Sequence, residues 1–423
     1  MESILKKDQN YIWHPLTQHK TQPEVLPITR AKGVWLYDDK ENAYIDAISS
    51  WYTSIYGHCH PKIIHAAQEQ MQNCDQVIFS GFTHAPAANL AEALIGILPE
   101  NQQKVFFSDN GSTATEIGIK IALQYHHNKG QERHVILAFE EGFHGDTFGA
   151  MSVSGLSVYN GPFENHFIKV VRIAVPNENN HKQVLSNLEK LIDIHDIAGF
   201  IYEPLVQGAA GMKMYEAKYL TPILELCKAH EIITIADEVM TGFGKTGTAF
   251  ASEQISILPD VMCLSKALTA GFMPMAITSC TQRIFDAFYS DDTSKGLFHC
   301  HTYTANPIAC AVAKASVDLL VSKSMQQHRK RIEQSHKEFI AALCKHPKAQ
   351  NVRSKGIILA FELQIDCKER YGNTRKKIYN AFMAQGIYLR PLGNTIYIVP
   401  PFITTNKELQ KIYTSIENIL ELV

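Results

Sequence analysis

The sequence lacks any long apolar segment. No stretch approaches the roughly 18 unbroken apolar residues that a membrane-spanning helix needs. The first residues, MESILKKDQNYIWHP, also lack the apolar core of a secretory signal. We therefore predict a cytoplasmic protein with no membrane partner.

A strong excess of charge of either sign is also missing. The 40 Lys and Arg residues nearly balance the 42 Asp and Glu residues, which leaves a formal net charge of -2. Proteins that bind nucleic acid usually carry a basic surface, so we predict no nucleic-acid partner. At 423 residues the chain exceeds the roughly 250–300 at which a single core stops growing, so two or more domains are expected.

Cysteine shows no pairing pattern. The nine cysteines are odd in number and form no CxxC motif, which favours free thiols over a disulfide framework or a zinc ribbon. Two short segments place histidine on both sides of a cysteine, at 58–60 and at 299–301. Neither has the carboxylate or CxxC companion of a structural zinc site, so we predict no metal.

Two apolar runs, each followed by a chemically active side chain, are the most informative feature present. Consecutive apolar residues in IITIADEVMTGFG and PDVMCLSKALTAG predict strands buried in a parallel sheet, which end near Asp237 and Lys266. Ligands of such sheets bind at the carboxyl ends of strands. A lysine that condenses with an aldehyde and a carboxylate that keeps a pyridine nitrogen protonated suit pyridoxal phosphate. The alternative is a surface lysine and an aspartate that caps the next helix.

A candidate phosphate site precedes this pair. In KVFFSDNGSTATEIG an apolar strand ends at Ser108, turn residues follow, and a helix begins near Ser112. Backbone N–H groups and the helix dipole at such a start attract an anion, with the Ser112 hydroxyl as a further donor. An ordinary capped helix fits equally well. Only the association with Asp237 and Lys266 favours phosphate.

Other strand-to-loop transitions follow the same plan. HVILAFEEGFHGDTFG leads into a loop with Phe143 and His144, and IAGFIYEPLVQG ends a strand at Glu203. The Phe143 ring suits stacking on a planar cofactor, although core or loop filler is the usual role of such residues. Strands alternating with helical stretches from about residue 60 to 310 predict a doubly wound, mainly parallel α/β sheet.

The C-terminal third shows a different pattern. A long helical stretch, IACAVAKASVDLLVSKSM, precedes a charged segment and the short strands GIILAFEL, GIYLR and TIYIVPP. This α+β arrangement predicts a second, smaller domain. We expect an N-terminal segment (1–50) that packs with the small domain, a large cofactor-binding domain (51–310) and a small C-terminal domain (311–423).

Four motifs together resemble the class III aminotransferases of pyridoxal-phosphate fold type I. They are IYEPLVQGAAGM, ADEVMTGFGKTG, LSKALTAG and HTYTANPIACAVA. The resemblance implies an aminotransferase that uses pyridoxal 5′-phosphate. Further motifs, among them DAISSWY, GFHGDTFGAMSVSG and YLRPLGN, resemble the branch of the family that works in biotin biosynthesis. That branch converts 8-amino-7-oxononanoate to 7,8-diaminononanoate, with S-adenosyl-L-methionine as the default amino donor.

The resemblance implies roles for single residues. Lys266 would bond the cofactor aldehyde, Asp237 would pair with the pyridine nitrogen, and both would be catalytic. His301 and Thr302 would reach the cofactor of a neighbouring subunit, which implies a homodimer with shared active sites. The positions implied to face the cofactor are Gly111, Ser112, Phe143, Asp237, Lys266, His301 and Thr302. The positions implied to face substrate are Leu16, Trp51, Phe143, Lys266, Cys300 and Arg390.

Among the substrate positions, Arg390 would bind the carboxylate of the keto substrate, because a guanidinium offers two parallel donors. Several residues differ from the family's usual ones. Leu16 and Phe143 stand where tyrosine is common, Cys300 and His301 stand where glycine and proline are common, and Lys245 replaces arginine. These differences leave open whether the donor is adenosylmethionine or lysine.

Three alternatives remain open from the sequence. One is another class III ω-aminotransferase, acting on ornithine or 4-aminobutyrate, and a second is an aminomutase of the same fold. The third is a cofactor-binding regulator, which would carry a basic DNA-binding domain ahead of the fold. The residues that resemble the family begin by Trp13, which leaves no room for such a domain in this sequence and disfavours the third alternative. The pattern assigns no role to His58, His60 or Glu203.

Overall fold

A computed structural model describes residues 4–21, 25–157, 160–365 and 373–422. The strands of these residues are β1 (Ile28–Lys32), β2 (Trp35–Asp38), β3 (Ala43–Asp46), β4 (Gln102–Ser108), β5 (Val135–Phe139), β6 (Val170–Ile173), β7 (Ile197–Tyr202), β8 (Val206–Gln207), β9 (Lys213–Met214), β10 (Ile233–Asp237), β11 (Val261–Leu264), β12 (Ala276–Thr281), β13 (Ala349–Lys355), β14 (Ile358–Leu363), β15 (Ile387–Tyr388) and β16 (Thr395–Ile398).

The helical elements are α1 (Ile4–Tyr11), α2 (Ser49–Tyr52, a single turn), α3 (Pro61–Met71), α4 (Ala85–Ile95), α5 (Gly111–Asn128), α6 (Phe148–Val153), α7 (His181–Ile194), α8 (Ala217–Ala229), α9 (Gln282–Asp286), α10 (Pro307–Val321), α11 (Lys323–Leu343), α12 (Asn373–Ala384) and α13 (Asn406–Leu422). Short 3₁₀ turns cover Gly161–His166, Ala251–Gln254, Lys266–Thr269 and Thr293–Lys295. Among the described residues, no helix is both long and apolar enough to cross a membrane.

A seven-stranded sheet with the order β4-β12-β11-β10-β7-β5-β6 forms the centre of the fold. Its strands pair in parallel except β12, which is antiparallel to β11 and to β4. Every residue of β7, β10, β11 and β12 is buried. The predicted mainly parallel α/β fold is therefore confirmed, and consecutive apolar residues correctly indicated strands covered on both faces.

The two faces of this sheet pack into separate apolar clusters. Along β7, Phe200 and Tyr202 belong to one cluster, and Ile201 between them belongs to the other. This alternation follows from the period of two in a strand. Helix α5 covers the second face, where Ile117 and Ile121 are buried. The strand ends are thereby fixed between two packed layers.

Smaller sheets surround the central one. One has the order β1-β2-β3-β15 and joins the two ends of the chain, since Ile45 pairs with Ile387 in parallel. Another has the order β13-β14-β16, and β8 pairs with β9. The predicted boundary after residue 310 lies inside α10. The division into domains stays a prediction.

The helix predicted from the pattern at 308–325 is interrupted. It forms α10 and α11, which are separated by Ser322, whose ψ of 140° is extended. The Ser322 hydroxyl accepts a hydrogen bond from the Met325 backbone N–H at 3.4 Å. A continuous helical pattern did not reveal the break, because serine fits an exposed helix position as well as an N-cap.

Gly356 joins the β13–β14 turn to the loop after β10. Its φ is 56°, and a Cβ there would lie 2.4 Å from the Gly247 nitrogen and 2.5 Å from the Lys245 oxygen. The next residue, Ile357, donates its N–H to that same Lys245 oxygen at 3.0 Å. Only glycine allows the two backbones to approach so closely.

We expect Gly356→Ala to lower the thermal unfolding midpoint by several degrees, because overpacking against fixed backbone costs about 1–3 kcal/mol. Gly130→Ala is the matched control, since Gly130 also has a positive φ, of 74°, but nothing lies within 4 Å of its Cβ position. Differential scanning calorimetry of both variants checks this. Equal shifts in the two variants would show that the backbone contact at Gly356 does not matter.

Candidate active site

Asp237 and Lys266 lie at the carboxyl ends of two neighbouring parallel strands. Asp237 is the last residue of β10 and pairs with Cys263 of β11, and Lys266 follows β11 by two positions. The structure therefore places the predicted carboxylate and amine at the same edge of the sheet. Burial lowers the pKa of Lys266, whereas the charges of Asp237 and Glu203 oppose the change. A larger share of this amine is thus neutral than in a lysine exposed to water.

His144 orients the Asp237 carboxylate. Its Nδ1 lies 2.7 Å from Asp237 Oδ2, and Val239 donates its backbone N–H to Oδ1 at 3.0 Å. The imidazole is buried, and its Nε2 has no partner among the described residues. His144 lies in the loop that the sequence predicts after β5, and no role was expected for it. Only its position next to Phe143 pointed to the site.

Glu203 supports the loop that carries Phe143. Its carboxylate accepts the backbone N–H of Phe143 at 3.0 Å and that of Gly208 at 2.9 Å. Burial, reinforced by the Asp237 charge, raises the pKa of Glu203 to about 7, although His144 acts in the opposite direction. The Phe143 side chain is 42% exposed. The ring is therefore free to contact a ligand while its backbone is held.

The start of α5 lies against the Asp237 loop. Asn110 caps the helix, since its side chain accepts the Thr113 N–H at 3.1 Å. A Cβ on Gly111 would lie 2.7 Å from a methyl group of Val239, so glycine is required at this close approach. The Ser112 hydroxyl accepts the Thr147 N–H at 3.0 Å and is 2.8 Å from the Thr147 hydroxyl. The predicted hydroxyl donor is thus shared with Thr147.

A second lysine is buried near Lys266. Lys245 is fully buried, and its Nζ has no hydrogen-bond partner among the residues the structure describes. Burial and the positive charge of Lys266 together lower the pKa of Lys245 to about 7, although the negative charge of Glu238 acts in the opposite direction. Because the sequence alone does not reveal burial, Lys245 was noted only as a departure from the usual arginine.

The α2 turn brings an aromatic pair to the site. The Tyr52 ring centroid lies 5.2 Å from Lys266 Nζ, and the Arg390 guanidinium carbon lies 4.7 Å from the Trp51 ring centroid. Arg390 follows β15, which pairs with β3 immediately before the turn. All four residues of α2 have positive φ, in a conformation that costs about 1–2 kcal/mol per non-glycine residue.

The remaining predicted positions lie on exposed segments. Leu16 is 54% exposed, and Cys300 and Thr302 are exposed as well. His301 Nδ1 is 2.8 Å from Asp109 Oδ2, in the turn that precedes α5. The backbone oxygen of Thr302 accepts the Gln76 side-chain N–H at 2.9 Å. Among the residues that the structure describes, none of these three, Leu16, Cys300 and Thr302, forms a hydrogen bond with Lys266.

The histidines of the two histidine-rich segments contact different groups. His58 Nε2 is 2.8 Å from Asp46 Oδ2, and His60 precedes α3 as its N-cap residue. His299 Nε2 lies 2.6 Å from His301 Nε2. In the described ranges, no group of three or more histidine, cysteine or acidic side chains is arranged to hold a metal ion.

Known proteins resemble this chain over nearly its whole length. The family model for aminotransferase class III matches residues 16–420. Adenosylmethionine-8-amino-7-oxononanoate aminotransferase of Synechococcus elongatus is 42% identical over 97% of this chain and 98% of its own length. The enzyme of that name from Helicobacter pylori is 34% identical over 99% of this chain and 98% of its own.

Solved structures show the same similarity. The crystal structure of adenosylmethionine-8-amino-7-oxononanoate aminotransferase from Methanocaldococcus jannaschii superimposes with a TM-score of 0.91 at 33% identity, covering 98% of each chain. An ω-transaminase of Pseudomonas jessenii in complex with PMP has a TM-score of 0.93 at 27% identity, covering 99% of this chain and 98% of its own. The chain therefore belongs to the class III aminotransferases, which are enzymes that depend on pyridoxal phosphate.

Proposed function

We propose that this enzyme transfers an amino group from S-adenosyl-L-methionine to 8-amino-7-oxononanoate, which yields 7,8-diaminononanoate in biotin biosynthesis. One observation carries the proposal: the adenosylmethionine-8-amino-7-oxononanoate aminotransferase of Synechococcus elongatus is 42% identical over 97% of this chain. The geometry supports this proposal. Arg390 contacts Trp51, the neighbour of the Tyr52 ring that faces Lys266, and its guanidinium would bind the carboxylate of the acceptor there.

The residues at the sheet edge fit pyridoxal phosphate. Lys266 is the amine that would hold the aldehyde carbon, and Asp237 is the carboxylate that would face the pyridine nitrogen. The first N–H groups of an α-helix have no partner within the helix, so those of Gly111 and Ser112 suit the phosphate. The side chain missing at Gly111 leaves room for Val239, which keeps the helix start close to Asp237. When bound, the cofactor supplies an aldehyde for the amino group and a ring that accepts electrons.

The chain's own groups would then hold and move protons. The Lys266 amine, with its lowered pKa, would take a proton from the substrate carbon that bears the amino group and return one in the other half-reaction. Asp237, oriented by His144, would stabilise positive charge on the nitrogen it faces. Phe143 would cover one face of the planar ligand, since its backbone is held by Glu203.

We also propose a cytoplasmic homodimer with shared active sites. The segment with Cys300, His301 and Thr302 exposes two large aromatic side chains, Phe298 at 75% and Tyr303 at 62%. A dimer interface would cover these two side chains. The partner subunit's copy of this segment would complete the phosphate end of the site. All eight cysteines that the structure describes are free thiols, which suits a reducing compartment.

The first test is the absorbance of the enzyme loaded with pyridoxal phosphate, during titration with each donor. We expect adenosylmethionine to convert the band of the aldehyde form to the band of pyridoxamine phosphate, and lysine to leave it unchanged. Lys266→Ala is the control and should not convert. Conversion by lysine alone would keep the pathway and change the donor. Conversion by neither would refute the proposed reaction.

Asp237→Asn should reduce turnover by about 100-fold or more, the loss typical of one preorganised electrostatic group, while cofactor binding through the phosphate persists. The reason is that a neutral amide does not stabilise positive charge on the ring nitrogen. Asp260→Asn is the control, because Asp260 precedes β11 and so lies at its opposite end. Single-turnover rates and cofactor content of both variants check this, and a comparable loss in Asp260→Asn would speak against a specific role.

Arg390→Ala should raise the Michaelis constant for the keto acceptor by roughly 10- to 150-fold, because a hydrogen bond to a charged group contributes about 1.5–3 kcal/mol. Arg390→Lys keeps the charge without the two parallel donors, so its effect should be intermediate. Steady-state kinetics with each substrate varied in turn separates this from a donor effect. An unchanged Michaelis constant for the acceptor in Arg390→Ala would show that another group binds the carboxylate.

A further inference from the structure

The α2 turn has an unusual backbone. Ser49, Ser50, Trp51 and Tyr52 have φ values of 50°, 44°, 71° and 72°, so four successive non-glycine residues are left-handed. Residues with a Cβ rarely form such a run, because the Cβ approaches the following carbonyl oxygen. The conformation therefore persists only where surrounding contacts enforce it, and such contacts are common at functional sites.

Asp46 supplies the main contacts that enforce this turn. It is the last residue of β3 and is completely buried. Its Oδ1 accepts the Ile48 backbone N–H at 3.2 Å, and its Oδ2 accepts the Ser50 hydroxyl at 2.8 Å. His58 Nε2 lies 2.8 Å from the same Oδ2. The carboxylate thus connects Ile48 before the turn, the second residue of the turn and the segment around His58.

A second anchor fixes the turn to the C-terminal part of the chain. The Ser49 hydroxyl donates to the Val399 backbone oxygen at 2.7 Å. Val399 also donates its own N–H to the Ala47 oxygen at 2.8 Å. The turn is therefore held by hydrogen bonds to Asp46 and to the segment after β16.

The handedness of the turn decides where its two aromatic side chains point. Tyr52 is 4% exposed, and its ring faces the Lys266 amine, whereas Trp51 is 41% exposed and faces the Arg390 guanidinium. A right-handed turn would send both side chains in other directions, because the Cα–Cβ bonds would have a different arrangement. Arg390 therefore contacts a residue of the turn that the buried carboxylate of Asp46 holds.

We propose that Asp46 is a positioning residue for recognition of the acceptor's carboxylate. It acts through the left-handed turn on Trp51, and through Trp51 on Arg390, with His58 and Ser50 as the hydrogen-bond donors that keep the carboxylate in place. The inference rests on the proposed function in that Arg390 binds a carboxylate. It adds a fully buried residue that acts on the carboxylate-binding group through other residues.

The test compares Asp46→Ala with Asp38→Ala. Asp38 is a matched control, because it is also buried at a strand end of the same sheet and accepts hydrogen bonds from Asn42, Lys40 and Tyr44, but it has no bond to the turn. We expect Asp46→Ala to raise the Michaelis constant for the acceptor by about fivefold or more, within the range of coupling in one hydrogen-bond network. The change in kcat should be smaller, and Asp38→Ala should leave the Michaelis constant within about twofold.

Calorimetric binding of nonanoate separates this inference from the proposed reaction, because nonanoate carries the carboxylate and cannot be aminated. Wild-type protein should bind it, and Asp46→Ala should weaken binding by about fivefold in the presence of Arg390 and by less than about twofold in an Arg390→Ala background. Equal effects in both backgrounds would overturn the inference. Absence of binding to the wild type would do so as well. If adenosylmethionine or 8-amino-7-oxononanoate fails as a substrate while this coupling persists, only the proposed reaction falls.

Ser50 provides a milder variant in case Asp46→Ala does not fold. Ser50→Ala removes one donor to Asp46 but keeps a Cβ in the left-handed region, whereas Ser50→Gly removes the same donor and the steric cost together. We expect Ser50→Ala to weaken nonanoate binding by about threefold and Ser50→Gly to weaken it less. Wild-type affinity in Ser50→Ala would contradict a positioning role for this network.

Discussion

The parallel pairing of β10 with β11 is the constraint on which the rest of the site depends. The register places Asp237 opposite Cys263, so the carboxylate and the lysine that follows β11 emerge at one edge. Both strands are buried on both faces, and a slip of one residue would exchange every side chain between the two faces. Packing therefore fixes the register, and the register in turn fixes the positions of the chemical groups at the strand ends.

The ionisable groups at this edge shift one another's pKa values. The charges of Asp237 and Glu203 affect the pKa of Lys266, and those of Asp237 and His144 affect the pKa of Glu203. The charge of Lys266 affects the pKa of Lys245. Burial weakens the screening by water, so the protonation state of each group depends on its neighbours. The site is best understood as one coupled set of charges. A substitution at one position then changes the proton affinity of several others.

Local sequence patterns revealed the parts of the site that lie at the ends of strands and helices. Asp237, Lys266 and Glu203 each follow an apolar run, and Gly111 and Ser112 begin a capped helix, so period and composition were sufficient to find them. The resemblance of the motifs to a known family then identified the aminotransferase. The α/β class followed from uninterrupted apolar strands, although the antiparallel β12 was not visible in the pattern.

Other features required the three-dimensional structure, because they join distant parts of the chain. The hydrogen bond from His144 to Asp237 and the stacking of Arg390 on Trp51 leave no mark on local periodicity. Backbone handedness is equally hidden, since Ser50 is not a residue type that favours positive φ. The break at Ser322 was missed for the opposite reason, as the pattern on both sides was helical.

The pairing of β3 with β15 has a consequence for the order in which parts of the site form during synthesis. Ile45 leaves the ribosome well before its partner Ile387. A nascent chain that ends shortly after β12 already contains Asp237 and Lys266, yet it lacks the strand that leads to Arg390. The catalytic pair proposed here is therefore synthesised early, whereas the end of the site proposed to recognise the carboxylate forms only after Arg390 has emerged.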